Sequence, residues 1–221
     1  MSNTVLFIIP GACSFGSMVA LELIGKPYKV GITTAEIRKS DAFLKINPLG
    51  KVGTLSDNGN VVYENLAIIM YLMDSNQKSK IFLPLNSKDR IEAYKWLSYL
   101  ASTLHVSFGP LIRPEAFIDE SGVAQLKEFA IKKLNGILQY IDNHLSERDF
   151  LFSKDFTVID AQAYGILRFG NKFNLLGNYK NILNYLDRMN QMPIIQNALN
   201  IEQQKTELLK NSSFDGYYLF E

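Results

Sequence analysis

The spacing of hydrophobic residues in the first third of the chain alternates between strand and helix patterns. Compact apolar runs at residues 4–8 and 28–32 have the length and the β-branched content of buried strands. Between them, residues 14–24 carry apolar side chains three and four positions apart, and Gly25 and Pro27 end that helical pattern. The order strand, helix, strand predicts a βαβ unit with two parallel strands.

The next segment continues with mixed elements. Residues 40–47 form a short helical pattern that stops before a proline. Strand patterns at 52–56 and 61–63 flank Asn58-Gly59, a strong hairpin signal. A helix is predicted from Asn65 to about residue 74.

The pattern changes after a polar linker at residues 75–89. From residue 91 onward the apolar positions keep helical spacing, with later helices predicted at 158–169, 180–190 and 194–200. No strand signal of similar strength follows residue 90. The pattern predicts a small α/β domain over residues 1–78 and an all-helical domain over residues 88–221.

The composition excludes some classes of function but does not identify the function itself. The 221 residues are 47% hydrophobic and carry a formal net charge of +1, with no basic stripe and no acidic tail. Nucleic acid and membrane partners are therefore not expected, and the apolar runs are too short to span a bilayer. A single cysteine and an N-terminus without a basic leader predict a cytoplasmic protein.

The only cysteine, Cys13, lies in "PGACS", between the first strand and the first helix. The start of a helix carries partial positive charge, which predicts a lowered thiol pKa and a reactive thiolate. A buried structural thiol is the alternative. Position 16 is glycine, so a two-cysteine redox pair is excluded, and a partner thiol has to come from another molecule.

Two further groups are candidates for chemistry. In "YENLAIIMYL", Glu64 precedes Asn65 at the start of a helix, and together they match the ammonium and carboxylate of an α-amino acid. An ordinary capped helix is the alternative. His105 ends the first long helix of the second domain, where a core histidine is the alternative to a catalytic one.

Several motifs in order resemble those of the cytosolic glutathione S-transferases, most closely the bacterial beta class. The matching stretches are "PGACS", "FLKINPLGKV", "YENLAIIMYL", "WLSYLASTLHVSFGPL", "DFTVIDAQAYGILR" and "NQMPIIQNAL". In the fifth stretch, Thr157 and Asp160 have the spacing of a capping box. The resemblance covers nearly the whole chain and implies a thioredoxin-like domain followed by an α-helical domain.

The resemblance also implies a homodimer that uses glutathione as co-substrate, with no metal. Cys13 and His105 are then expected beside the glutathione sulfur. Lys51, Val52, Glu64 and Asn65 are expected to hold the rest of the tripeptide. A hydrophobic electrophile is expected in a pocket formed by Phe108, Arg113, Tyr164 and Arg168.

The chain departs from the family pattern at several positions: Lys51 replaces a usual Gln, Ser98 and Thr103 stand where the class often has Asn and Glu, and positions 53 and 65 also differ. Most relatives have Ser where Asn65 stands, and they have Val-Pro with a cis peptide bond where this chain has Val52-Gly53. A cis bond before a non-proline residue costs about 2.5–4 kcal/mol, so a trans bond is predicted here. A more flexible loop predicts about tenfold weaker glutathione binding.

Three functions remain open from the sequence. The first is a transferase that conjugates glutathione to electrophiles or exchanges thiol and disulfide through Cys13. The second is a catalytically weak binding protein with the same fold. The third is a regulatory protein of the stringent-starvation type, which the lack of a charged patch disfavours.

Overall fold

A computed structural model describes residues 3–79, 81–203 and 212–218 of the chain. Within these ranges, no helix has both the length and the apolar character needed to cross a membrane.

The N-terminal part is built on a mixed sheet with the strand order β4-β3-β1-β2-β5. Its first four strands are β1 (Thr4–Ile8), β2 (Tyr28–Ile32), β3 (Thr54–Asp57) and β4 (Asn60–Tyr63). β1 and β2 are parallel, and β3 pairs antiparallel with both β1 and β4. The predicted βαβ unit and the hairpin at Asn58-Gly59 are both confirmed; both turn residues have positive φ angles.

Four helices belong to this part: α1 (Phe15–Ile24), α2 (Ala35–Lys39), α3 (Asp41–Ile46) and α4 (Asn65–Ser75). The sequence pattern did not predict α2. It is a single short turn that presents no fully buried side chain, so it leaves no apolar stripe to detect.

The second part is helical. It contains α5 (Lys88–Tyr99), α6 (Gly109–Ile112), α7 (Val123–His144), α8 (Val158–Lys172), α9 (Lys180–Asn190) and α10 (Pro193–Glu202). The helix of α5 continues through a π-helical segment, Leu100–His105. π-Helical turns are rare and are often found at functional sites.

The prediction of an all-helical second domain over residues 88–221 is wrong at its end. Phe214–Tyr217 forms β5, which pairs in parallel with β2 and so completes the sheet of the first domain. The segment is only four residues long and contains Gly216. It is a strand because the exposed edge of β2 supplies its hydrogen-bond partners, which no local pattern records.

The two parts share one hydrophobic core, in which α1 packs against α8 at glycine positions. A Cβ atom added to Gly16 would lie 2.6 Å from the Cα of Gln162, and one added to Gly165 would lie 3.0 Å from the Cβ of Phe15. This close packing fixes the loop before α1, which carries Cys13, against the helical domain.

Candidate functional site

The loop between β1 and α1 buries the thiol of Cys13, leaving 7% of the residue exposed. Gly11 has a φ of 78°, and the Ala12 amide donates to the Ile9 carbonyl to close the turn. Burial raises the pKa of Cys13 to about 11, while the hydrogen bond from Asn65 opposes the shift. The predicted low pKa is therefore wrong, because loss of solvation outweighs the helix terminus.

The start of α4 lies beside this thiol. Glu64 has a φ of 74°, unusual for a residue with a side chain, and its carboxylate is exposed. Asn65 is the first residue of the helix, and its Nδ2 donates to Cys13 Sγ at 3.2 Å. The negative charge of Glu64 also contributes to raising the thiol pKa, which reports its proximity to the sulfur.

The loop that leads into β3 is held by two side chains that the sequence analysis did not select. Asn47 Nδ2 and the Thr54 hydroxyl both donate to the Lys51 carbonyl, at 3.0 and 2.9 Å. The Lys51 side chain is exposed and that of Val52 is half-buried. These hydrogen bonds hold the backbone on the N-terminal side of Val52, and the expectation of about tenfold weaker glutathione binding stays a prediction.

The peptide bond between Val52 and Gly53 is cis, so the prediction of a trans bond is wrong. Gly53 is buried against three neighbours: an added Cβ would lie 2.6 Å from Asn65 Oδ1 and 3.4 Å from both Ser14 Cβ and Ile68 Cδ1. The tertiary surroundings decide the backbone geometry here, and the intrinsic preference of one peptide bond does not.

His105 ends the π-helical segment, and its ring stacks on Phe169 of α8 with 6.2 Å between centroids. Burial lowers the pKa of His105, the charge of Glu64 raises it, and Arg113 lowers it. The dominant burial effect favours a neutral imidazole, which is able to accept a proton. The same interactions place Glu64 and the exposed Arg113 near the ring.

The other residues expected around an electrophile are placed in the core or in an ion pair. Phe108 is fully buried, and Tyr164 is 3% exposed with its hydroxyl donating to Asn190. Arg168 pairs with Glu202 at 2.6 Å. Of the four residues predicted for this pocket, only Arg113 presents an exposed side chain.

Arg168 instead supports the cysteine loop. Its guanidinium lies 4.3 Å from the centroid of the Phe15 ring, and one of its nitrogen atoms donates to the Ala12 carbonyl at 3.4 Å. The cation–π contact and the hydrogen bond together tie α8 to the segment that precedes Cys13.

Ser17 is a further residue of the site that sequence reasoning missed. Its hydroxyl donates to Asn65 Oδ1 at 2.9 Å. No local pattern could have found it, because its partner Asn65 lies 48 positions away along the chain.

Gly16 gives a structural reason for the absence of a second cysteine. Any side chain there would collide with the backbone of Gln162. In the described part of the chain, no group of three or more His, Cys, Asp or Glu side chains is arranged to hold a metal ion.

Comparison with known proteins gives consistent matches over most of the chain. Residues 2–74 match the family model "Glutathione S-transferase, N-terminal domain", and residues 114–201 match "Glutathione S-transferase, C-terminal domain". Glutathione S-transferase GstA of Escherichia coli O157:H7 is 32% identical over 203 residues, which cover 89% of this chain and 98% of that protein.

Solved structures agree with this match. A sphingomonad glutathione S-transferase in complex with glutathione superposes with a TM-score of 0.80 at 31% identity, covering 90% of this chain and 98% of the other. A beta-class glutathione S-transferase of Sphingomonas chungbukensis gives 0.80 at 28% identity, with the same two coverages.

Proposed function

The chain belongs to the glutathione S-transferase family and is a glutathione transferase, and we propose that the sulfur of bound glutathione lies between Cys13 and His105 and reacts there. The observation that supports this proposal is that Glu64 interacts electrostatically with both Cys13 and His105, and the three residues come from different elements. The loop before α1 supplies Cys13, the start of α4 supplies Glu64, and the π-helical segment supplies His105.

Glutathione is held along the edge formed by the β3 loop and α4. The γ-glutamyl ammonium pairs with the exposed carboxylate of Glu64, and its carboxylate meets the N–H groups of the first turn of α4. The N-cap side chain makes no capping hydrogen bond there, which keeps that turn available. Val52 pairs its backbone with the cysteinyl unit, and Lys51 reaches the glycyl carboxylate.

In conjugation, the glutathione thiol loses its proton to the neutral ring of His105. The sulfur electron pair then forms a bond to an electrophilic carbon, and the leaving group departs with its own electron pair. Cys13, which is protonated at neutral pH because of its raised pKa, donates a weak S–H hydrogen bond to the glutathione thiolate.

Exchange with a disulfide uses the small ionised fraction of Cys13. The Cys13 thiolate attacks one sulfur of oxidised glutathione, the Cys13–glutathione disulfide forms, and the original disulfide bond breaks. The displaced glutathione thiolate takes up the proton that Cys13 lost, so the reaction needs no other oxidant.

The second substrate is a hydrophobic electrophile that enters beside His105. Arg113 is exposed there, and Phe117, in the segment that follows it, is 57% exposed. The ring of Phe117 covers Gly109, at which an added Cβ would lie 3.1 Å away. These groups replace the buried Phe108, Tyr164 and Arg168 as the proposed walls of the pocket.

We further propose that the enzyme is a cytoplasmic homodimer. An open groove of about 590 Å³ runs along α5, and its lining includes Ile91, which is 56% exposed. Leu66 and Met70 on α4 are half-buried, whereas Ile69 and Met73 lie in the core. Sedimentation at micromolar concentration tests this proposal, and a stable 25.0 kDa monomer would contradict it.

The enzymatic proposal is tested by calorimetry with glutathione and by turnover of a chloronitrobenzene. His105→Ala is expected to bind glutathione and to lose about a hundredfold in turnover, since general-base catalysis is removed. Unchanged turnover would remove His105 from the mechanism. Glutathione binding with no turnover on any electrophile or disulfide would favour the binding-protein alternative.

A further inference from the structure

Asn65 and Cys13 form a buried pair whose geometry differs from that expected of a residue that only holds the end of glutathione. Asn65 is 9% exposed and Cys13 is 7% exposed. The amide nitrogen of Asn65 donates to the sulfur at 3.2 Å. The side chain of Asn65 therefore lies against the thiol.

A second contact fixes which end of the amide faces the sulfur. The hydroxyl of Ser17, which is fully buried, donates to Asn65 Oδ1 at 2.9 Å. With the oxygen held by Ser17, the NH₂ group points at Cys13. The sulfur accepts this hydrogen bond both as a thiol and as a thiolate, and it accepts it more strongly when it is ionised.

Gly53 provides the room for this arrangement. A Cβ atom at position 53 would lie 2.6 Å from Asn65 Oδ1, a distance that real Cβ atoms essentially never show. Its next contacts, Ser14 Cβ and Ile68 Cδ1, would be at an ordinary 3.4 Å. Asn65 is thus the neighbour that excludes a side chain at position 53, so the departures from the family pattern at positions 53 and 65 fit each other.

We propose that Asn65 is a positioning residue for the Cys13 sulfur, oriented by Ser17 and accommodated by Gly53, so that the three residues act as one unit. The inference rests on the proposed role of Cys13 in the transferase site. The unit stabilises the thiolate within a buried pocket and thereby controls when the Cys13–glutathione disulfide forms. The residues at positions 53 and 65 together therefore determine how fast the Cys13 thiol reacts.

The test measures the rate at which iodoacetamide alkylates the folded protein between pH 6 and pH 11. Because Cys13 is the only cysteine, one mass adduct per chain reports on this sulfur alone. Asn65→Ala is expected to slow alkylation at pH 8 by about tenfold, and to move the pH profile upward by about one unit, because the donor to the thiolate is lost. An unchanged profile would overturn the proposal.

Gly53→Ala tests whether the residues act together. Alone it is expected to give a similar, about tenfold, loss by displacing Asn65. In the double variant Gly53→Ala/Asn65→Ala, the change at position 53 is expected to slow alkylation by less than a further factor of about two. The Asn65 side chain that it would displace is already absent there. Two losses that multiply would show that the positions are independent and would contradict the unit.

Gly136→Ala is the matched control, because an added Cβ there meets nothing within 4 Å. It is expected to leave the alkylation profile unchanged, and a shift in it would show that the Gly53→Ala effect is not specific. If Gly53→Ala fails to fold, Ser17→Ala replaces it. That variant frees the amide and is expected to slow alkylation by about threefold, and no effect would count against the proposal.

Turnover of Cys13→Ala separates this inference from the proposed function. If that variant loses disulfide exchange while Asn65→Ala keeps the wild-type alkylation profile, the inference fails and the proposed function stands. If Cys13→Ala keeps full transferase and exchange activity while Asn65→Ala shifts the profile, the role of Cys13 fails. In that case the unit of Asn65, Ser17 and Gly53 controls the reactivity of the thiol but has no role in catalysis.

Discussion

The first turns of α8 and α4 both lie beside buried polar groups, but only the turn of α8 is closed by its own sequence. Asp160 is fully buried and accepts from the Leu151 amide, from both the amide and the hydroxyl of Thr157, and from the Tyr185 hydroxyl. Every donor in this group has a partner within the protein. A terminus of this kind stabilises the fold and has no capacity left for a ligand.

The first turn of α4 is organised in the opposite way. Its N-cap residue, Glu64, has a positive φ and makes no side-chain capping bond. The side-chain amide of Asn65 donates to the Cys13 sulfur and does not cap the turn. The backbone N–H groups of that turn are left for another partner. A capping pattern in the sequence thus predicts stability, whereas the uncapped start of α4 beside a buried thiol leaves N–H groups for a ligand.

Removing the carboxylate that accepts hydrogen bonds at the first turn of α8 is expected to destabilise the protein most. Asp160→Ala leaves the buried Leu151 amide and the half-buried Thr157 amide without their acceptor and is expected to cost about 3 kcal/mol of unfolding free energy. For a chain of this size the thermal midpoint falls by about 6–12 °C. Calorimetry measures it, with exposed Asp187→Ala as the control. Equal midpoints for the two variants would show that the box is dispensable.

The next effect concerns the thiol at the open terminus. With a pKa raised from 9.0 to about 11, the thiolate fraction of folded Cys13 below pH 9 is about a hundredfold smaller than that of a free cysteine. Alkylation of the folded protein is expected to rise about tenfold per pH unit up to about pH 10. The urea-unfolded chain should level off near pH 9, and identical profiles would refute the burial effect.

The same shift predicts how folding stability depends on pH. Since the folded pKa is raised, the stabilisation from the neutral buried thiol is fully present below the unfolded value. It is lost as the pH rises through about 11. Cys13→Ala is expected to be less sensitive to pH over this window in urea unfolding experiments.

Removing the charge of Glu64 separates binding from stability. Glu64→Gln is expected to weaken glutathione binding by about tenfold in calorimetry, because a charge-assisted contact to the ammonium is lost. The unfolding midpoint stays the same, since the side chain is exposed. Alkylation of Cys13 becomes faster, because Glu64 contributes to raising the thiol pKa. Unchanged affinity would remove Glu64 from the binding site.

The smallest effect is expected from half of the capping box. Thr157→Ala removes the hydroxyl that donates to Asp160 at 2.8 Å but leaves the amide bond to the carboxylate in place. The expected cost is about 1 kcal/mol in urea unfolding. A loss as large as that of Asp160→Ala would mean that the hydroxyl, and not the buried carboxylate, dominates this terminus.

Elements that depend on local information were predictable from the amino-acid sequence. β1, β2, the Asn58-Gly59 hairpin and α8 with its Thr157–Asp160 box were all predicted near their observed bounds. Each depends on residues a few positions apart, because periodicity, turn chemistry and capping act over that range. The same is true of the motif order that placed the chain in its family.

Other features depend on contacts between segments that are distant in the chain, and they became visible only in the folded protein. The protonation of Cys13 follows from its burial, the backbone at Val52-Gly53 from its surroundings, and the strand β5 from the free edge of β2. Asn65 faces the sulfur because Ser17 holds its oxygen and Gly53 leaves it space. Solvation, close packing and strand pairing arise between segments far apart in the chain, so no local pattern contains them.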